Sequence, residues 1–138
     1  MVNKDVLNAK IGAFERHMAR IREKRELGLS EFLADPDRQE SILFNLQMAI
    51  QNCIAVAAHI VSEEGLGVAG STNELFYFLD ENGIIDALLA EKMTRAVGFR
   101  NLLVHEYIGL DLQVVYRVAR EDIVDLELFM QNILRRFG

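Results

Sequence analysis

The sequence of 138 residues predicts an all-α fold, an up-and-down bundle of four to five helices. Two observations support this prediction. Pro36 is the only proline, and apolar residues recur every three or four positions instead of every second one. The length suits a single domain over residues 1–138, because such a chain buries one core and is too short for two ordinary ones. One cysteine, Cys53, excludes an internal disulfide framework and falls on an apolar stripe, so we expect it in the core.

Two long amphipathic helices are predicted first. An apolar stripe predicts the first helix, from about Asn3 to Leu27. It consists of Leu7, Ile11, Phe14, Met18 and Ile21. Asp35-Pro36 predicts the start of the second helix, because Asp caps helix N-termini and Pro suits the first helical position. This helix should end near Glu64. Its stripe consists of Leu43, Leu46, Ile50, Cys53, Ala57 and Ile60, and its many alanines would let another helix approach closely.

The segment from Gly65 to Gly70 matches the pattern G-x-G-x-x-G. That pattern indicates a dinucleotide site only between a strand and a helix, whereas here it follows a helix. We therefore interpret it as a helix C-cap and a loop.

Four helical segments follow this loop. Ser71-Thr72-Asn73-Glu74 has capping-box spacing and opens a short helix that Gly83 stops. A fourth helix begins near Ile85 and leads into Arg100, and Gly109 and Asp111 mark its end and the next N-cap. A short helical piece is expected over Leu112–Arg120. The last helix carries Ile123, Leu126, Phe129, Met130, Ile133 and Leu134, with Arg135-Arg136 at its C-terminal end.

The charge is unevenly distributed around the net value of −6. Residues 42–91 hold seven acids and no Lys or Arg. Residues 92–120 hold five cations and two acids, a local balance of +3. This excess indicates either an ordinary solvated surface or a site for an anion. No signal peptide is recognisable and no apolar run approaches the roughly 20 residues of a membrane span, so a cytoplasmic protein is expected.

The stretch that brings together the most side chains able to take part in catalysis is Arg100-Asn101-Leu102-Leu103-Val104-His105-Glu106-Tyr107. On a helix Asn101 and His105 share one face, whereas Arg100 and His105 lie about 140° apart. An imidazole can take or deliver a proton at neutral pH, and a guanidinium can hold the charge that develops on phosphoryl oxygens. Without an activated Ser or Cys, this pair suits cleavage of RNA, whose 2′-hydroxyl serves as the nucleophile.

The pattern Arg100-Asn101-x-x-x-His105-x-Tyr107, followed by Gly109 and Asp111, resembles the motif of the HepT-like HEPN proteins. Further similar segments are Ala49–Cys53, His59-Ile60, Ser62–Gly65 and Glu81–Ile85. The resemblance implies a HEPN-like bundle acting as a metal-independent endoribonuclease toxin on RNA, possibly tRNA. Arg100 and His105 would be catalytic, and Asn101 would support them. It also implies a dimer whose two motifs face one cleft, and an MntA-type nucleotidyltransferase antitoxin that transfers AMP to Tyr107. No cofactor or metal is implied.

Two alternatives stay open. In the first alternative, the chain is a non-catalytic helical binding subunit of a minimal nucleotidyltransferase. In the second alternative the motif is structural, with Arg100 pairing an acid and His105 capping the helix end. Of the other histidines, His17 lies off the stripe and is expected at the surface, and His59 is expected to be a hydrogen-bonded structural residue.

Overall fold

The structure, a computed structural model, describes residues 1–105 and 109–138. Its elements are α1 Lys4–Lys24, α2 Leu29–Leu33, α3 Pro36–Glu63, α4 Thr72–Glu81, α5 Ala87–His105, α6 Leu112–Arg117, a π-helical turn Val118–Asp122 and α7 Ile123–Phe137. The described residues include no strand, so the all-α prediction is confirmed. Because α6, the π turn and α7 follow one another without a break, the longer helical units match the predicted four to five.

α3 begins where the sequence predicts. Asp35 is its N-cap and accepts a hydrogen bond from the Arg38 N–H, and Pro36 is the first helical residue. α1 ends three residues before the predicted Leu27. There the Tyr116 hydroxyl donates to the Leu27 carbonyl over 2.8 Å, and Arg120 donates to the Arg25 carbonyl. Side chains of α6 and the π turn therefore bond to the Arg25 and Leu27 carbonyls, which in a longer α1 would accept hydrogen bonds from the helix backbone.

α2 is an element that the sequence prediction misses. It is five residues long, and of these only Phe32 is buried. An apolar period needs about three turns of helix to be recognisable, so such a short helix leaves no pattern.

Two of the glycines predicted at helix ends, Gly65 and Gly83, adopt the left-handed conformation there. Gly65 has φ +62° after α3, and the Leu66 N–H donates back to the Val61 carbonyl over 3.0 Å. Gly83 has φ +71° after α4, and the Ile84 N–H bonds to the Leu79 carbonyl over 2.9 Å. These are Schellman caps, and they confirm the interpretation of the G-x-G-x-x-G segment as a cap and loop.

α3 is the central helix of the bundle. It packs against α1, α2, α4, α5 and α7. Cys53 lies fully buried on it, as predicted, and burial raises the pKa of its thiol. Leu46 and Ile50 of α3, Met93 of α5 and Phe129 of α7 are also buried in the shared core. α5 is thereby fixed against the middle of the molecule.

α3 is also long and apolar enough to cross a membrane by length and composition, which corrects the expectation that no run approaches that size. Its most apolar window has a mean hydropathy of 1.4, and 56% of that window is buried inside the fold. The central helix of a water-soluble bundle meets the same criterion, because it must be apolar on most of its sides.

The segment predicted as one helical piece over Leu112–Arg120 becomes α6 and then a π turn. The Ala119 carbonyl in this turn accepts a hydrogen bond from Arg25 Nη1 over 3.3 Å. A π turn shifts the helical register locally, and apolar spacing does not reveal such a shift.

Candidate active site

The predicted motif begins where the core-facing stripe of α5 ends. Leu89, Met93, Val97, Arg100 and Val104 follow one another at spacings of four, four, three and four residues. The first three are buried, Arg100 is half-buried, and Val104 is 46% exposed. In the last turn of α5, Leu103 is still buried in the core, whereas Val104 is exposed, so the inward side of this turn is only partly covered within the described chain.

Arg100 is held from α3. Its Nη1 donates a hydrogen bond to Gln51 Oε1 over 3.1 Å, between side chains 49 positions apart. Its Nε is buried and has no hydrogen-bond partner in the described part of the chain. Among those residues no carboxylate lies within 4.0 Å of the guanidinium, so its one fixed contact there is a neutral amide.

Asn101 and His105 are exposed on one face of the last turn of α5. Neither side chain makes a hydrogen bond within residues 1–105 and 109–138. α5 is α-helical through His105, so His105 lies about 140° around the axis from Arg100 and roughly 7.5 Å further along it. The fold thus brings Arg100, Asn101 and His105 to one helix end without joining Arg100 to His105. Tyr107, the predicted modification site, lies outside the described residues.

The local excess of positive charge does not form a patch around Arg100. Lys92 pairs with Asp125 at 3.6 Å, and Arg95 pairs with Glu91 at 2.8 Å on the same helix. Arg120 lies over the Tyr116 ring, 5.2 Å from its centroid, and donates to backbone carbonyls. These three cations make contacts within the chain, which weakens the interpretation of the +3 balance as an anion site.

Both histidines outside the motif differ from their predictions. His17 was expected at the surface, but it is half-buried, and its Nδ1 lies 2.8 Å from Oδ1 of the buried Asn45 on α3. His59 was expected to be hydrogen-bonded, but its Nε2 is buried and has no partner among the described residues. The hydrogen bond across α1 and α3 explains the first error, since a stripe on one helix does not show what a neighbouring helix offers. Among the described residues there is no cluster of three or more His, Cys, Asp or Glu able to hold a metal.

A cavity of about 480 Å³ lies on another side of α5, against the π turn and α7. Ile50 and Phe99 form part of its apolar lining, and Asp122 lies among its charged groups. Burial raises the pKa of the Asp122 carboxyl; Arg117 opposes this rise, while Asp125 and Glu121 add to it. Arg100, Asn101 and His105 do not line the cavity, so it is separate from the predicted site.

Comparison with known sequences gives one family and several relatives. The model of a family described as Ribonuclease HepT-like matches residues 14–133. The mRNA nuclease HepT of Shewanella oneidensis is 33% identical over 129 residues, which cover 94% of this chain and 96% of that protein. The tRNA nuclease HepT of Aphanizomenon flos-aquae is 23% identical over 93% of this chain and 87% of that one.

Comparison with solved structures gives close similarity in fold. A toxin–antitoxin crystal structure with AMP-PNP superposes with a TM-score of 0.88 at 32% identity, covering 95% of this chain and 98% of that one. The tri-AMPylated Shewanella oneidensis HEPN toxin in complex with MNT antitoxin gives 0.88 at 33% identity, with the same coverage. The cytosolic protein YutE from Bacillus subtilis, of unknown function, gives 0.83 at 14% identity, which supports the fold alone.

Proposed function

The chain belongs to the HepT-like ribonuclease family, and on this basis we propose that residues 1–138 form one domain acting as a metal-independent endoribonuclease toxin. One observation carries most weight. Arg100 lies half-buried against α3, bonded there to a neutral amide, on the same exposed helix end that carries Asn101 and His105. A guanidinium that pairs with no carboxylate among the described residues suits a phosphate, and an exposed imidazole suits proton transfer.

The proposed reaction uses the chemistry of RNA itself. The 2′-oxygen attacks the adjacent phosphorus and loses its proton, and the P–O5′ bond breaks as the leaving oxygen gains one. His105 would transfer a proton, and Arg100 would bind the phosphoryl oxygens on which charge develops. Asn101, which shares a face with His105, would support the substrate by hydrogen bonding. One protomer supplies one such imidazole, whereas the reaction benefits from a base and an acid.

We propose that a second copy supplies the other group. The half-exposed Val104 continues the core-facing stripe of α5. α3 carries no charged residue between positions 42 and 62, and its outward face includes Phe44, which is 57% exposed, and Ala58. Uncharged, partly apolar faces are typical of interfaces between copies. A two-fold axis would set the same surface against itself and bring two motifs to one cleft.

The proposed partner is an MntA-type nucleotidyltransferase that transfers AMP to Tyr107, with both proteins in the cytoplasm. The proposal rests on the motif position of Tyr107 and on the relatives, since the similar Shewanella oneidensis toxin is tri-AMPylated and bound to an MNT antitoxin. An attached AMP would add negative charge and bulk to the motif and repel an RNA phosphate.

A non-catalytic binding subunit for such a nucleotidyltransferase is the second candidate. The net charge of −6 and the dispersed cations favour it, because phosphate contacts dominate affinity for RNA. The two functions differ in whether the isolated protein cuts RNA.

Cleavage of tRNA and total RNA by the purified protein in the presence of EDTA tests the enzymatic proposal. We expect cleavage by the wild type and a loss of about 100-fold or more in Arg100→Ala and His105→Ala, since general acid–base catalysis contributes on that scale. Arg95→Ala is the matched control, because Arg95 is exposed on the same helix and pairs with Glu91. RNA left intact by the wild type, or cut equally by every variant, would reject the proposal.

Mass spectrometry after co-expression with a nucleotidyltransferase encoded beside the gene tests the modification. We expect added AMP on the peptide that contains Tyr107 and its absence in Tyr107→Phe. Tyr116→Phe is the control, because the Tyr116 hydroxyl already donates to the Leu27 carbonyl. AMP confined to Tyr77 or Tyr116 would refute the assignment.

A further inference from the structure

Gln51 lies outside the motif, 49 positions before Arg100. Its side chain nevertheless accepts a hydrogen bond from Arg100, the first residue of the motif. We propose that Gln51 is a positioning residue for Arg100: its neutral amide orients the guanidinium and leaves the positive charge available to a phosphate. This inference rests on the proposed ribonuclease function and adds an α3 residue to the site.

The orientation follows from the hydrogen bond. A guanidinium has five N–H donors in a rigid plane, so fixing one edge fixes the direction of the others. Gln51 Oε1 accepts from Nη1 over 3.1 Å, while the buried Nε is enclosed between the helices. α3 is the central helix and packs against α1, α2, α4, α5 and α7. Arg100 is therefore aligned by a side chain of the central helix of the bundle.

The charge argument depends on glutamine rather than glutamate at position 51. A carboxylate there would form a charge-assisted bond that is stronger than an amide bond, but it would also neutralise Arg100. Residues 42–62 contain no acid at all, and no described carboxylate lies within 4.0 Å of Arg100. Within the described part of the chain the positive charge is thus oriented but not neutralised, as stabilisation of developing phosphoryl charge requires.

A purely structural bond between α3 and α5 predicts a different response to substitution. If the contact only stabilised the bundle, Gln51→Glu would keep or raise both thermal stability and activity, because a charged pair is the stronger bond. A positioning role predicts that Gln51→Glu keeps the thermal stability and loses the activity. Gln51→Ala should lose orientation and lower activity less severely.

RNA cleavage by folded variants of the full chain separates these predictions. We expect kcat to fall about 10-fold in Gln51→Ala, with a slightly lower Tm because one hydrogen bond is lost, and about 100-fold in Gln51→Glu, with a Tm at least as high as that of the wild type. Gln131→Glu, the same change on an exposed position of α7, should keep full activity. In an Arg100→Ala background, Gln51→Ala should cause no further loss, because both changes remove one function. Full activity of Gln51→Glu, or an additional loss in the double variant, would overturn the proposal.

A second readout does not depend on catalysis. In ¹H–¹⁵N spectra the buried Arg100 Nε–H should exchange slowly with solvent in the wild type, and its signal should shift or disappear in Gln51→Ala. An unchanged signal would show that Gln51 does not orient Arg100, even if the wild type cleaves RNA. A wild type that cleaves no RNA would instead reject the proposed function, whatever this signal shows.

Discussion

Arg100 combines two roles that usually belong to different residues. Its position follows Leu89, Met93 and Val97 on the core-facing stripe, so its aliphatic stem covers apolar surface. Its guanidinium would be costly to bury without a hydrogen bond, and Gln51 supplies one. The packing of Arg100 against the core therefore also orients its positive charge.

Asp122 allows a prediction at the scale of a single carboxyl. Its pKa is raised chiefly by burial, so ionisation costs the folded state more than the unfolded one. The stability it contributes is present when the group is protonated and is lost as pH rises through its folded pKa. We expect Asp122→Asn to raise Tm at pH 7, with the gain shrinking as pH falls toward 3. Thermal unfolding from pH 3 to 7 measures this.

Asp125→Asn is the control for Asp122→Asn, and the opposite sign is expected. Asp125 lies 3.6 Å from Lys92, so losing its charge should lower the stability at pH 7 by about 0.5 kcal/mol, typical of a partly exposed ion pair. If both asparagine variants shift Tm in the same direction, the assignment of the Asp122 shift to burial is wrong.

Residues of the site differ in how far the sequence alone identifies them. Arg100, Asn101 and His105 are predicted because one stretch of helix carries them, and their roles stay predictions. Gln51 is not predicted as a site residue, because helical spacing shows which face a residue lies on but not which residues of another helix contact it. The bond between His17 and Asn45 escaped prediction for the same physical reason.

At the scale of elements, local signals at helix ends prove dependable. Asp35-Pro36 and Gly83 act through backbone geometry within a few residues, so neither needs tertiary context. α2 and the π turn depend on that context. Phe32 is buried against the Tyr116 ring, with ring centroids 5.5 Å apart, and no local sequence pattern predicts this contact.

Two glycines with open space around them should respond oppositely to alanine. Gly83 has φ +71°, a conformation that costs an alanine about 1 kcal/mol, so Gly83→Ala should destabilise by that amount. Gly98 is helical within α5, and a Cβ there meets nothing within 4 Å. Gly98→Ala should therefore stabilise by about 0.5–1 kcal/mol. Urea unfolding of both variants measures the pair, and destabilisation by Gly98→Ala would contradict the open environment.

At the scale of the whole molecule, α3 has two different sides. Its inner side supplies much of the core, which explains why the helix is apolar enough to meet the length and composition criterion for a membrane span. Its outer side is uncharged from position 42 to 62 and carries Phe44 and Ala58 in the open. Leu102 and Val104, at the end of α5, are likewise exposed. A self-complementary surface that includes the motif would account for Phe44, Ala58 and Val104 together.

Val104→Glu tests this assembly. A charge at this uncovered end of the α5 stripe would be buried against a second copy, and burying an unpaired carboxylate is strongly unfavourable. We expect light scattering after gel filtration to show a dimer for the wild type and a monomer for Val104→Glu, with a loss of RNA cleavage of about 10-fold or more. The matched control is Val124→Glu on α7, where the valine is 59% exposed; it should remain a dimer. A dimer that survives Val104→Glu, or dissociates equally in both variants, would place the interface elsewhere.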